Sequence, residues 1–181
     1  MQGGATGTGT VTLLAPVTNT NRTINLPDSN GTIVTSATAG VPINGPAFSA
    51  YPNATLSVAN STATKILFQT EEFDTNNNFA SSTFTPTVAG YYQLSTLAGA
   101  SGTLMASEAL IAIYKNGSVY KYLADPYGTS ISMLGGSCIV YANGTTDYFE
   151  VYLQQFSGGS RTISSTSTVT WFQAAMIRSA V

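Results

Sequence analysis

From Asp147 to Gln155 the chain alternates: Phe149, Val151 and Leu153 are apolar, with Tyr148, Glu150, Tyr152 and Gln154 set between them. A period of two sends successive side chains to opposite faces, so the segment reads as a strand with one core face and one amphipathic face. Comparable stretches run over 47–51, 65–74, 83–88, 90–99, 107–115, 118–124, 130–142 and 167–178. Turn formers separate them, among them Asn76-Asn77-Asn78, Pro86, Asn116-Gly117, Asp125-Pro126, Asn143-Gly144 and Gly158-Gly159. Strands at this spacing, with no helical period between them, predict an all-β sandwich or barrel. Asn116-Gly117 predicts a tight hairpin. Composition agrees, since ten Tyr and eight Phe favour strands, and only 8% of residues are charged, which leaves few of the strong helix formers Lys, Arg and Glu.

Residues 1–45 have a different texture. Short β-prone bursts, Thr10-Val11-Thr12-Leu13-Leu14, Thr23-Ile24-Asn25-Leu26-Pro27 and Thr32-Ile33-Val34-Thr35, are each too small to bury a core of their own. Such strands are stable when stacked on other copies, in a solenoid or an intertwined shaft. The stretch 37–46, with Gly40, Pro42, Gly45 and Pro46, reads as a linker. The expected organisation is therefore a shaft-like segment over 1–45 and a sandwich domain over 46–181.

Several kinds of chemistry are excluded or disfavoured. The chain has no histidine, which removes Ser-His-Asp, Cys-His and His-metal sites. Glu71 and Glu72 are adjacent on a strand and point to opposite faces, and no other spacing pairs two carboxylates as a glycosidase requires. Asp125 and Asp147 are isolated candidates for calcium and read better as solvated turn residues. No cofactor or metal is expected. Cys138 is the only cysteine, in an apolar strand where a small buried thiol is the simplest reading, and no disulfide can form within the chain. The six Lys and Arg are scattered and the net charge is −2, which argues against nucleic acid as a partner. No apolar run approaches the roughly 18 residues of a membrane helix, so no membrane insertion is expected.

The closing segment 167–178 is apolar on both faces: Phe172, Ala174 and Met176 on one, Val169, Trp171, Ala175 and Ile177 on the other. One face can pack on the sandwich core. The other requires either a neighbouring subunit or a larger core within the same chain.

Pro46-Ala47-Phe48-Ser49-Ala50 resembles the opening strand of C1q domains. The stretch from Phe73 to Leu94 resembles the C1q signature, with Phe73, Asn78, Phe79, Phe84-Thr85-Pro86 and Gly90-Tyr91-Tyr92-Gln93-Leu94 as its matching points. Ile113-Tyr114-Lys115-Asn116-Gly117 matches the family's Lys-Asn-Gly hairpin. The stretch from Asn143 to Val151 is similar to its Gly-Asp-x-Val-x-Val strand, with two extra residues between Gly144 and Asp147. Trp171-Phe172-Gln173-Ala174-Ala175-Met176-Ile177 resembles its closing strand, with Ala174 where Gly is usual. The resemblance implies a C1q/TNF-like jelly roll that assembles as a compact homotrimer. Gly90 is expected to allow a sharp turn after Pro86, and Tyr92 and Leu94 to pack beside Phe84. The animal family's Gly-X-Y collagen stalk is missing. Residues 9–35 instead resemble the short β-repeats of bacteriophage tail-fibre shafts.

These readings combine into a non-enzymatic, homotrimeric tip domain of a phage tail fibre or similar virion appendage. Its expected partners are a host-cell surface receptor, glycan or protein, and other fibre or baseplate proteins. Its expected location is the virion, extracellular after lysis, consistent with a start at Met1-Gln2-Gly3-Gly4 that does not read as a secretory signal. A purely structural trimerisation domain and a secreted C1q/TNF-like ligand are the alternatives. Phe48, Tyr148, Tyr152, Trp171 and Phe172 are candidates for the subunit seam or the core. For binding, the loops 100–106, 122–129 and 156–162 are candidates. Tyr122, Asp125 and Tyr127 offer rings and an acid for stacking on a sugar, with Gln154, Gln155 and Arg161 as hydrogen-bonding groups. Ordinary solvated turns, with Tyr127 packed at a subunit seam, are the competing reading.

Overall fold

The computed structural model describes residues 45–101 and 105–180; the shaft expected over 1–45 lies, except for Gly45, outside the described residues. The described chain is all β. Its strands are β1 (Ala47–Tyr51), β2 (Leu56–Val58), β3 (Thr64–Lys65), β4 (Thr70–Asp74), β5 (Phe79–Ala80), β6 (Thr83–Phe84), β7 (Gly90–Gly99), β8 (Met105–Lys115), β9 (Ser118–Ala124), β10 (Tyr127–Ile131), β11 (Met133–Ala142), β12 (Phe149–Gln155), β13 (Arg161–Ile163) and β14 (Trp171–Ser179). A five-stranded sheet in the order β11-β7-β14-β1-β4 faces a seven-stranded sheet in the order β10-β8-β12-β6-β5. In the latter, β9 also pairs with β8 and β3 with β12. The short pair β13-β2 stands apart. All named strand pairs are antiparallel, as a jelly roll requires.

Alternation decides which side of each strand meets the core. Phe149, Val151 and Leu153 are fully buried, while Glu150, Tyr152 and Gln154 look outward. Tyr92 and Leu94 are buried too, with the Tyr92 ring 5.5 Å from Phe84, as the sequence leads one to expect. The Tyr92 hydroxyl donates to the Val88 carbonyl at 2.6 Å, and burial pushes its pKa up. Phe48 lies at the centre of an aromatic cluster joining the sheets, with ring centroids 4.3 Å from Phe79, 4.8 Å from Phe84 and 5.0 Å from Phe172.

Three of the expected strands are broken, each for a local reason. The stretch 65–74 alternates in burial from Lys65 to Gln69, is exposed over Glu71–Phe73, and crosses from β12 of one sheet to β1 of the other. In between, the Phe68 backbone bonds to the Ser82 hydroxyl instead of a neighbouring strand. Strand β6 ends before Pro86, which has no N–H to give a ladder. The stretch 130–142 divides at Ser132, where the chain leaves β8 and joins β7. Gly90 also differs from expectation. It has no left-handed backbone, and an added Cβ would lie 2.5 Å from the Arg178 carbonyl, so glycine is needed for the close approach of β14. A true positive-φ pair occurs at Asn116 (54°) and Gly117 (79°), closing the β8–β9 hairpin.

Asp147 ties that hairpin to the turn before β12. Its carboxylate accepts from Lys115 Nζ at 2.8 Å, from Asn116 Nδ2 at 2.8 Å and from the Asn143 backbone N–H at 2.9 Å. These ties account for the Lys-Asn-Gly and Gly-Asp resemblances physically, since the two motifs meet at one carboxylate. They also correct the reading of Asp147 as a solvated turn residue, because it is buried and fully engaged. Burial opposes ionisation of Asp147, but the bonds from Lys115, Asn116 and Asn143 outweigh it and hold the pKa below the ordinary aspartate value. A carboxyl with a lowered folded-state pKa contributes stability above its unfolded value of about 3.9 and loses it as pH falls through the folded value. Asp147→Asn is therefore expected to lower the melting temperature at neutral pH. The gap to the wild type should close as pH falls below about 4, in melts followed by circular dichroism.

Candidate binding and assembly surfaces

The five-stranded sheet buries only one of its faces. On β14, Phe172 and Ala174 point into the core, whereas Gln173, Ala175 and Ile177 stand exposed on the other side. Phe73 on β4 is 51% exposed and Ile139 on β11 is 57% exposed. Two depressions mark this face. One is lined by Ala47, Phe73, Gln93, Gln173, Ala175 and Ile177, the other by Tyr91, Ile139, Tyr141, Ile177 and Arg178. The Tyr91 and Tyr141 rings lie 5.5 Å apart at its rim. Large apolar side chains gathered in this way on one sheet face make it a candidate surface for contact with another molecule.

The seam-or-core candidates divide unevenly. Phe48 and Phe172 are core residues without exposure. Trp171 is half-buried at the start of β14, opposite Leu97. Tyr148 and Tyr152 belong away from the bare sheet. Tyr148 is half-buried before β12, with its N–H bonded to Asn116, and Tyr152 stacks on Tyr114 at 3.9 Å on the outward face of the seven-stranded sheet. The sequence reading missed Phe73, Tyr91, Ile139 and Tyr141. Their signal was the one noticed only in the closing strand, apolar residues on both faces, and β11 carries it as well.

The loop candidates gather at one end of the sandwich. The Phe156 N–H bonds the Glu108 carbonyl, the Ala109 N–H reaches the Pro126 carbonyl, and the Ser101 N–H reaches the Thr162 carbonyl. Residues 102–104 lie outside the described residues. Tyr127 is 78% exposed at this end. Its hydroxyl is hydrogen-bonded to the Glu108 carboxylate, whose bond and charge raise the phenol's pKa. Asp125 is exposed beside it and Tyr122 is exposed on β9. Gln155 does not belong to a binding surface. It is completely buried, its Nε2 donates to the carbonyls of Val58 and Gly159, and its Oε1 accepts from the Ser157 N–H. An inward position in an alternating strand leaves it no access to a ligand. Arg161 is half-buried, with its guanidinium bonded to the Ser157 and Ser160 carbonyls. Gln154 lies on the outward face of β12, its Nε2 bonded to the Ser61 carbonyl at 3.1 Å.

The chain enters at the opposite end. An added Cβ on Gly45 would touch the Met176 side chain, and the Met176 N–H bonds the Pro46 carbonyl, near the start of β7 and far along it from Gly99. Cys138 is only half-buried, on the inward side of β11. Burial raises its thiol pKa, and Lys121 offsets part of that rise. Among the described residues, no three Cys, Asp or Glu side chains gather as metal ligands.

This arrangement of two sheets is shared with solved proteins. The globular domain of zebrafish complement 1qA protein superposes with a TM-score of 0.53 at 17% identity, covering 75% of this chain and 99% of that domain. The fold is the C1q/TNF-like jelly roll. Murine APRIL (TM-score 0.53, 9% identity, 72% of this chain and 98% of APRIL) and Eiger TNF from S. frugiperda (0.53, 9%, 76% and 96%) share it. No protein-family model matches the sequence, and no curated protein matches it significantly. Within this C1q/TNF-like frame the matching points of the 73–94 stretch mostly serve the core: Asn78, Phe79, Phe84, Pro86, Tyr92 and Leu94 are all buried.

Proposed function

We propose that the chain is the non-enzymatic, homotrimeric head of a virion appendage such as a phage tail fibre, and that it binds a receptor on the host-cell surface. The observation that carries this reading is the opposition of two ends. The chain arrives at Gly45 beside Met176, while the exposed Tyr127 and Asp125 lie at the other end, where a fibre tip would meet a cell. Three copies joined through the bare face of the five-stranded sheet would leave that end and the seven-stranded sheet open. The resemblance of residues 9–35 to fibre-shaft repeats supplies the virion setting.

Fluorescently labelled protein incubated with candidate host cells tests the proposal. Wild type should adsorb, and Tyr127→Ala should adsorb several-fold less while remaining the same size by light scattering. Adsorption to no candidate host, or full adsorption by Tyr127→Ala, would count against a receptor site at the loop end. A second reading, a purely structural trimerisation domain, is favoured by one observation. The 156–162 loop spends Arg161 and Gln155 on its own backbone.

A further inference from the structure

The bare face of the five-stranded sheet carries one charge of each sign, on opposite flanks. Register fixes which side chains share the face, because directly opposed residues project to the same side. Ser137, Ser95, Gln173 and Ser49 form one row across β11, β7, β14 and β1. Ile139, Gln93, Ala175 and Ala47 form the next, and both rows are uncharged. The row at the chain-entry end is Tyr141, Tyr91 and Arg178. On the far flank, at the edge strand β4, Phe73 stands opposite Ser49. A bulge beside it turns the Glu72 carboxylate to the Ser49 hydroxyl at 2.6 Å.

Neither charge is neutralised within the chain. Among the described residues the ion pairs are Lys65–Glu150 and Lys115–Asp147. Ser49 donates to Glu72 Oε2, which leaves Oε1 as a further acceptor. Arg178 is exposed and presents a fork of N–H donors. The flanks also differ in shape. Arg178 lines a depression of about 660 Å³ with Tyr91, Ile139, Tyr141 and Ile177, which is room for a large side chain. Phe73, half-exposed on the edge strand, is a large side chain that the single chain leaves uncovered.

We infer that in the homotrimer the β4 flank of each copy seats in this depression of the next, with Phe73 against its apolar wall and Glu72 paired to Arg178 across the seam, an inference that rests on the trimeric reading above and adds which surfaces meet. A three-fold ring demands two different patches on every copy, since rotation brings one flank of a copy onto the opposite flank of its neighbour. One flank here projects and is apolar and acidic; the other is hollow, apolar and basic. Closing the ring uses each patch once and leaves neither charge unpaired. A covered Arg178 without Glu72 would be a lone ion taken out of water, so the pair sets the register of the seam as well as joining it.

Charge reversal in the full-length protein tests the contact, with size followed by light scattering on dilution and the fold by circular dichroism. Arg178→Glu and Glu72→Arg each set like charges across the seam, and each should weaken assembly about tenfold or more. Combined, they restore opposite charges, and the double variant should assemble within about threefold of the wild type. Single variants that hold the trimer as the wild type does, or a double variant no better than the singles, would overturn the contact while the trimer itself stands. If Glu72→Arg does not fold, Arg178→Glu with Glu72→Gln takes the place of the double variant. Loss of the second carboxylate charge should then recover part of the assembly, and no recovery would overturn the contact. A wild type that is monomeric or dimeric would overturn the contact and the trimeric reading together.

Discussion

Ala175→Arg is expected to convert a trimer into folded monomers. Ala175 sits mid-strand on the bare face of the five-stranded sheet, between Gln93 of β7 and Ala47 of β1, with its methyl group exposed. No carboxylate is among the residues lining the depression around it, and the Glu72 carboxylate on this face already accepts from the Ser49 hydroxyl at 2.6 Å, so a guanidinium placed there is poorly matched when a second subunit covers the face. An unpaired ion taken out of water costs several kcal/mol, and a closed ring of three copies incurs that cost at every seam. Specific interfaces of this kind bury about 1,200 Å² or more, and their affinity depends on a well-packed apolar centre. Light scattering at micromolar concentration should give the wild type three times the 18.8 kDa chain mass and the variant a single chain mass. Circular dichroism should show both to be all β. A variant that remains trimeric would move the seam to another surface, and a monomeric wild type would remove the assembly altogether.

How much of this was legible in the sequence depended on the distance over which the cause acts. Alternation is local, so the inward sets Phe149-Val151-Leu153 and Tyr92-Leu94 could be assigned from spacing alone. The Asn116-Gly117 turn is local too, because positive φ at two successive residues narrows the choice of side chain. Sheet membership is not local. The crossings between sheets at 66–69 and at Ser132 show only in the folded chain, where alternation of burial lapses over Glu71–Phe73 and changes phase between Ile131 and Leu134. The candidates for a subunit seam suffered from the same blindness. Tyr152 is aromatic and outward, but it lies on the seven-stranded sheet and not on the face that gathers Phe73, Ile139 and Ile177, and only the pairing of β12 with β8 reveals that. The same pairing brings Tyr152 beside Ala112 and Tyr122, residues 30 to 40 positions apart, in a packed row that no single stretch displays. Gln155 was misread for a simpler reason. It is polar, but it follows the inward phase of its strand, and its amide replaces backbone partners for the loop around it.

Two phenylalanines on adjacent strands of the same sheet should behave in opposite ways, and the contrast separates folding from assembly. Phe48 on β1 is fully buried, with three rings at centroid distances of 5.0 Å or less, two of them from the facing sheet. Phe73 on β4 points outward onto the bare face and is half-exposed in the single chain. Truncating a buried Phe to Ala removes apolar burial and leaves a cavity, a loss of about 3–5 kcal/mol. Against a domain stability of about 5–15 kcal/mol, Phe48→Ala removes a large fraction of what holds the sheets together. The melting temperature should fall by about 10 °C or more. Phe73→Ala leaves no cavity in the monomer, and its effect on monomer stability should lie within about 0.5 kcal/mol. Because subunit association adds to apparent stability in a concentration-dependent way, the comparison belongs in the Ala175→Arg background, at one fixed protein concentration. There, denaturant unfolding should show a large loss for Phe48→Ala and almost none for Phe73→Ala. In the otherwise wild-type chain, Phe73→Ala should instead make the trimer dissociate on dilution. Equal losses from the two substitutions in the monomeric background would mean that Phe73 supports the fold itself, and that the bare face is not its site of burial.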